Sequence, residues 1–374
     1  MTDAFRPDGL PVPRTDFGTA VVEFLVDLFE AYPTWGTGTG YHRVDGRWPD
    51  LTEAGRSARL AVMAGHRERL EGFADDTLTA DEAVDRAILL GEIDKVVFDE
   101  AVLRAEAWDP LQTVYLVGGG LFGVLAREDA PWSERGAALL ARREGLPELF
   151  SAALDALTGL PDRPVALLQL ETALGQLPGV TDLLDSSVTE AKRRAEAGEA
   201  PELVAPLEAA ADAAHAAVET FRSGLDTSVR PRAAGEGRLG SDLFAQKLRF
   251  TLGSELTPDE LRERAWSDYH AVRAEMLRLA RELWSTWVPD EPRPEVRDGD
   301  TAAEAALVQR VLDAIAEQHQ SPDGLIGYCE DEIERISDFV RQRGLISLPD
   351  EPLVITWTPV FLRATARAFL DSPG

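Results

Sequence analysis

The sequence predicts a mainly α-helical protein, an elongated multi-helix array with one short β-strand near the C-terminus. Three observations lead there. Apolar residues recur at helical spacing over long stretches, capping signals stand at the heads of those stretches, and Pro and Gly separate them. Helices are expected near residues 16–31, 52–73, 80–107, 110–126, 132–158, 163–175, 181–197, 201–223, 240–252, 258–287, 301–319 and 323–343.

Asp50 with Glu53, Thr79 with Glu82, and Thr257 with Glu260 have the form of capping boxes, in which two side chains satisfy free N–H groups of the first turn. Behind the last of these, Leu261, Ala265, Val272, Met276, Leu279 and Leu283 form one continuous apolar seam. Leu203, Leu207, Ala214, Val218 and Phe221 form a second, on 201–223. Ile333, Ile336, Phe339 and Val340 mark a third, which Gly344 ends. Breaks are expected at Pro131, Pro161, Pro178 and Pro201, because proline lacks the helical N–H. Leu353–Thr358 (LVITWT) reads as the one strand.

Two loops, 229–240 (VRPRAAGEGRLG) and 288–300 (VPDEPRPEVRDGD), interrupt the helices most strongly. The expected organisation is an N-terminal helical layer, 1–230, and a second helical layer with the terminal strand, 231–374. Near the start, 32–51 (YPTWGTGTGYHRVDGRWPDL) is aromatic and glycine-rich and lacks a helical period. Such a loop either contributes to a site or packs as a connector.

A chain of 374 residues buries enough surface to fold without disulfides or metal. Its 66 acidic against 38 basic side chains give a net charge of −28. Polyanion binding requires cations that displace phosphate counterions, and no Lys/Arg-rich stripe stands free of neighbouring acids, so nucleic acid and anionic membrane are poor partners and neither is expected. The single cysteine, Cys329, sits beside Glu330, Asp331 and Glu332, which raise rather than lower a thiol pKa. The N-terminus lacks a basic and an apolar signal region, and the longest near-apolar run, 115–126, is too short to span a bilayer; a cytoplasmic location is expected.

No self-contained active site emerges. Gly118-Gly119-Gly120-Leu121-Phe122-Gly123 matches G-x-G-x-x-G in letters, but the flanks are helical and no parallel sheet is expected, so the glycines serve close helix approach. Glu208, Asp212, His215 and Glu219 form the polar stripe of an amphipathic helix. Glu330, Asp331, Glu332, Glu334 and Asp338 form a solvated acidic face beside Arg335 and Arg341. The five histidines make no H-E-x-x-H, and no serine sits in a G-x-S-x-G elbow.

Four segments, taken in order, resemble one family. They are 32–52 (YPTWGTGTGYHRVDGRWPDLT), 109–128 (DPLQTVYLVGGGLFGVLARE), 239–276 (LGSDLFAQKLRFTLGSELTPDELRERAWSDYHAVRAEM) and 339–364 (FVRQRGLISLPDEPLVITWTPVFLRA). Together they are similar to the N-terminal and middle parts of the bacterial DUF885 proteins, which are helical, zinc metallopeptidase-like enzymes of gluzincin-type architecture. In that family the segment like 345–364 comes shortly before an H-E-x-x-H helix, which this chain does not contain.

The resemblance therefore implies the substrate-cleft portion of a peptide-hydrolysing protein, inactive as this chain alone. It implies no catalytic residue and no metal ligand here, and zinc only where a missing C-terminal part is supplied. It places a peptide-like substrate near His42 and Asp45 of the first loop, Phe244 and Arg249 of a glycine-led helix start, and Thr358, followed by Pro359; local structure is the other reading of the first pair, with His42 capping a loop carbonyl and Asp45 closing an Asx turn at Gly46. Backbone groups of 354–358 would pair with an extended peptide along the strand edge. The alternative is a non-catalytic helical module that binds peptide or protein. If a covering part is missing, Trp357, Phe361 and Phe369 would lie exposed, and an oligomer contact or a partner is expected to cover that end.

Overall fold

The fold is taken from a computed structural model, which describes residues 9–128, 130–297, 299–349 and 352–363. The chain divides into two compact units. The first runs to Phe250 and resumes at Thr358; the second is Thr251–Trp357. This differs from the expected boundary at 230/231, because Phe250 and Leu243 pack into an apolar cluster with Phe98, Leu103 and Trp108 of the first unit.

In the first unit, α1 (Asp16–Ala31) is capped by Thr15, whose hydroxyl accepts from Gly18 N at 2.9 Å. The short α2 (Pro33–Gly38) opens on proline, where the missing N–H costs nothing. Helix α3 (Glu53–Glu71) is capped by Thr52 and not by Asp50, whose carboxylate instead accepts from Thr52 N at 2.9 Å. Helix α4 (Ala80–Val97) carries the expected Thr79/Glu82 box. Its continuation is a π-helical turn, Phe98–Leu103, ended by Arg104 in the left-handed region at φ 47°. Buried side chains of α1, α3 and α4, among them Phe17, Phe24, Met63, Leu70 and Ile93, make one core.

The main core lies between α5 (Leu111–Ala126), α6 (Trp132–Ala156), α7 (Leu167–Glu196), α8 (Val204–Ala209) and α9 (Ala211–Gly224). Here the seam on 201–223 behaves as expected: Leu207, Ala214, Val218 and Phe221 are buried, and Phe221 stacks on Phe150 at 4.6 Å. Helix α10 (Ser241–Leu252) follows the loop after α9.

Pro178 does not break its helix. It sits inside α7, so helices expected at 163–175 and 181–197 are one element, as Pro147 is also carried inside α6. Tertiary packing outweighs the lost N–H here. Gly179, next to that proline, receives the backbone of Phe361: a Cβ on Gly179 would lie 2.4 Å from Phe361 N. A Cβ on Gly118 of α5 would lie 2.3 Å from the Phe361 ring. Phe361 is thereby wedged between α5 and α7 at 1% exposure, which corrects the expectation that it is exposed. Trp357 is exposed as expected, and Phe369 lies outside the described residues.

The second unit is smaller. Helix α11 (Pro258–Trp287) starts with the Thr257/Glu260 capping box, α12 (Thr301–Ala316) is capped by Asp300, and α13 (Leu325–Arg343) ends at Gly344, φ 59°. Its core is Ala280, Trp284, Val288, Leu307 and Val311, with the Trp284 indole N–H donating to Glu291 O at 2.9 Å. The other apolar faces are open. Tyr269, Val272, Met276, Leu279 and Leu283 on α11 are exposed, as are Tyr328, Ile336 and Phe339 on α13, which has no buried residue.

The expected strand is not found. Residues 353–358 take neither helical nor strand form, and among the described residues no sheet forms beyond the isolated bridges Leu160–Arg163 and Ala166–Gly235. A strand needs a neighbour for its N–H and C=O groups, and among the described residues no second segment pairs with this one.

Candidate functional site

The aromatic loop between α1 and α3 is shorter in irregular structure than its sequence suggests. After α2 it turns at Gly40 (φ 87°) and makes a single 3-10 turn, His42–Val44. That turn brings His42 Nδ1 to 2.9 Å from Asp45 Oδ2. His42 stays about one-third exposed at the edge, while Asp45 is mostly buried. The second carboxylate oxygen, Oδ1, is buried and has no protein hydrogen-bond partner. A buried acceptor of this kind seeks a donor.

Behind the loop, α6 supplies Arg142, a fully buried guanidinium. It donates to Thr37 Oγ1 at 2.7 Å and to the carbonyl of Gly120, and lies over the Trp48 ring at 5.2 Å. The Trp48 indole N–H donates back to Arg142 O at 2.8 Å. Burial pulls Arg142 down to about 10, and the charge of Asp45 opposes that. Arg127 adds donors to Thr37 O and Gly38 O at 2.8 and 3.0 Å. The loop is therefore a tied connector along most of its length. Within it, Asp45 Oδ1 and the Tyr41 hydroxyl are buried polar atoms without a protein hydrogen-bond partner.

A second buried network ties the same loop at both ends, through Tyr32 and through Asp50, whose carbonyl accepts from Arg59. Arg59 of α3 grips Glu100 of the π-helical turn with two bonds, 2.6 and 3.0 Å, and Tyr32 donates its hydroxyl to Glu100 at 2.6 Å. Burial, and then the Glu100 carboxylate, push the Tyr32 hydroxyl well above its ordinary pKa. Around this turn burial also raises Asp99 and Glu106. Their sequence gave no motif. Arg142 did leave a signal, since a charged residue stands on the Leu139–Leu146–Leu149 side of α6 where an apolar one is expected.

The remaining expected site residues are not assembled with this pair. Trp48 fills the notch at Gly120, and Phe361 fills the one at Gly118. These glycines point about 160° apart around α5, so the loop and the segment holding Thr358 meet different sides of it. Thr358 is half-buried and accepts from Arg363 through its carbonyl at 2.8 Å. Phe244 and Arg249 are both exposed on α10 but about 140° apart, so they share no face. Two concavities, of about 560 and 940 Å³, lie elsewhere, beside Leu60, Arg67 and Val97 and beside Trp284, Glu291 and Arg293.

The described residues do not assemble a zinc site. Among the described residues no three His, Cys, Asp or Glu side chains come together as ligands. The histidines are spread out: His66 meets Asp27 at 2.8 Å, His215 meets Asp185 at 3.0 Å, and His270 stacks on Trp266.

A family model described as DUF885, bacterial protein of unknown function, matches residues 33–374, and the chain belongs to that family. A solved structure described as "a putative lipoprotein of unknown function from Shewanella oneidensis" is similar, with a TM-score of 0.68 and 25% identity. The match covers 92% of this chain but 61% of the relative, so the chain spans about three fifths of that protein's length. No curated protein matches. No helix among the described residues is long and apolar enough to cross a membrane.

Proposed function

We propose that this member of the DUF885 family supplies the substrate-holding helical wall of a zinc metallopeptidase-like protein, with the groups that break the peptide bond carried by other residues. The His42–Asp45 pair supports this reading most directly. One carboxylate oxygen is engaged by the imidazole, and the other is buried with no protein donor. A peptide ammonium or amide N–H is the kind of group that satisfies such an acceptor, and a charge-assisted bond there fixes orientation. Metal-activated water, the chemistry of the intact family type, is assigned to no side chain of this chain.

Calorimetry with a mixed dipeptide library, with and without zinc, tests the reading. Free-amine dipeptides should bind without turnover, and both N-acetylation and Asp45→Asn should weaken binding. Robust hydrolysis with stoichiometric zinc by this chain alone, or binding indifferent to Asp45→Asn, would sink it. A second reading, a non-catalytic helical module for another polypeptide, is favoured by the open apolar face of α11.

A further inference from the structure

Helix α11 presents two apolar faces. One, through Leu277, Ala280, Trp284 and Trp287, is spent on the small core with α12. The other runs through Ala265, Tyr269, Val272, Met276, Leu279 and Leu283, all exposed, at successive spacings of 4, 3, 4, 3 and 4 residues. Ala265, Val272 and Leu279 recur every seven residues, as do Tyr269, Met276 and Leu283, the repeat that keeps a seam facing a neighbouring helix in knobs-into-holes packing. From first to last the seam is about 27 Å long, or five helical turns. An uninterrupted apolar strip of this kind on a surface marks a docking face.

The borders of the seam specify what docks. Along one side stand Asp268, Glu275 and Glu282, seven residues apart and hence stacked on one line. Arg278 donates to Glu275 and to Glu282 at 2.6 Å each, so one arginine serves two of the three carboxylates. The other border is Trp266, Arg273 and Ala280. Self-pairing is disfavoured in both directions. An antiparallel second copy sets the carboxylate row against itself, and a parallel one offers Arg273, Ala280 and Trp287 to three carboxylates, one cation in three. The net charge of −28 adds repulsion between copies.

We propose that the exposed seam of α11 docks an amphipathic α-helix of another polypeptide, apolar at the same 3–4 spacing and lined by Lys or Arg on its flank. This does not rest on the peptidase reading. Non-polar packing supplies the affinity, and the carboxylate row selects orientation and rejects acidic helices.

The test titrates two synthetic 21-residue peptides into the full chain by calorimetry at low and at high salt. Both carry Leu and Ile at the core positions; one has Lys at the flanking positions and the other Glu. The Lys peptide should bind one-to-one, more weakly at high salt, and the Glu peptide at least tenfold less tightly. Met276→Glu with Leu279→Glu should abolish Lys-peptide binding without moving the thermal midpoint of the chain, whereas Ala274→Glu, off the seam, should leave binding intact. Lys-peptide binding that survives the double substitution, equal binding of the two peptides, or a dimer of the chain that the double substitution dissociates would overturn the proposal.

Discussion

Helices α9 and α11 carry apolar seams of the same kind, and they end in opposite environments. On α9, Ala214, Val218 and Phe221 are sealed against α6 and α7, with Phe221 at 0% exposure. On α11, Tyr269 is 46% and Met276 37% exposed, and the whole strip faces outward. A helical seam reports a demand for a neighbour; it does not report that the neighbour is within the chain. The first unit meets its demand internally, and the second leaves it open.

Several substitutions sharpen that contrast, beginning with the largest effect. Phe221→Ala should cost about 3–5 kcal/mol in urea unfolding, the usual range for an aromatic deleted from a packed core, whereas Tyr269→Ala should leave the midpoint nearly unchanged. Equal costs would erase the distinction. Arg59→Met should cost about 3 kcal/mol, because it strands the buried Glu100 carboxylate; Arg278→Ala in the second unit, an exposed pairing, should give no measurable change.

The acid limb separates the units more finely. Glu190 on α7 is held down to about 2, chiefly by hydrogen bonds from Arg193 and then Arg194. A carboxylate with a depressed native pKa contributes stability above its unfolded value of 4.5 and loses it as pH falls toward about 2. Glu190→Gln should therefore flatten the loss of stability between those pH values. Glu275→Gln, at a fully exposed pair with Arg278, should alter that limb less, and less again in high salt. A comparably small effect is expected from Met276→Glu or Leu279→Glu, within about 0.5 kcal/mol as for ordinary surface changes. Circular dichroism during thermal unfolding checks it.

Much of the helical order was legible, for local reasons. Thr79/Glu82 and Thr257/Glu260 mark helix starts because the capping bonds are made within four residues. What depends on distant partners was not. Pro178 reads as a break and is not one, since Phe361, far along the chain, packs at the adjacent Gly179. The glycines at 118 and 120 read as relief for helix packing and instead admit the rings of Phe361 and Trp48. Leu353–Thr358 has the composition of a strand, but composition supplies no second strand. Of the candidate site, His42 and Asp45 were named by the resemblance to the family, and their contact in the structure follows from lying three residues apart; the buried Arg142 behind them comes from 97 positions later and carried no motif.

Methionine oxidation compares the two regions in one sample. Met63 lies in the core of the first unit at 0% exposure, and Met276 sits at the centre of the α11 seam. Under dilute peroxide, with peptide mass spectrometry as the readout, Met276 should oxidise rapidly in the native chain while Met63 stays protected until the chain unfolds. Adding the Lys-flanked helix should slow Met276 alone. Protection of Met276 equal to that of Met63 in the chain by itself would contradict the account, because the seam would then already be covered.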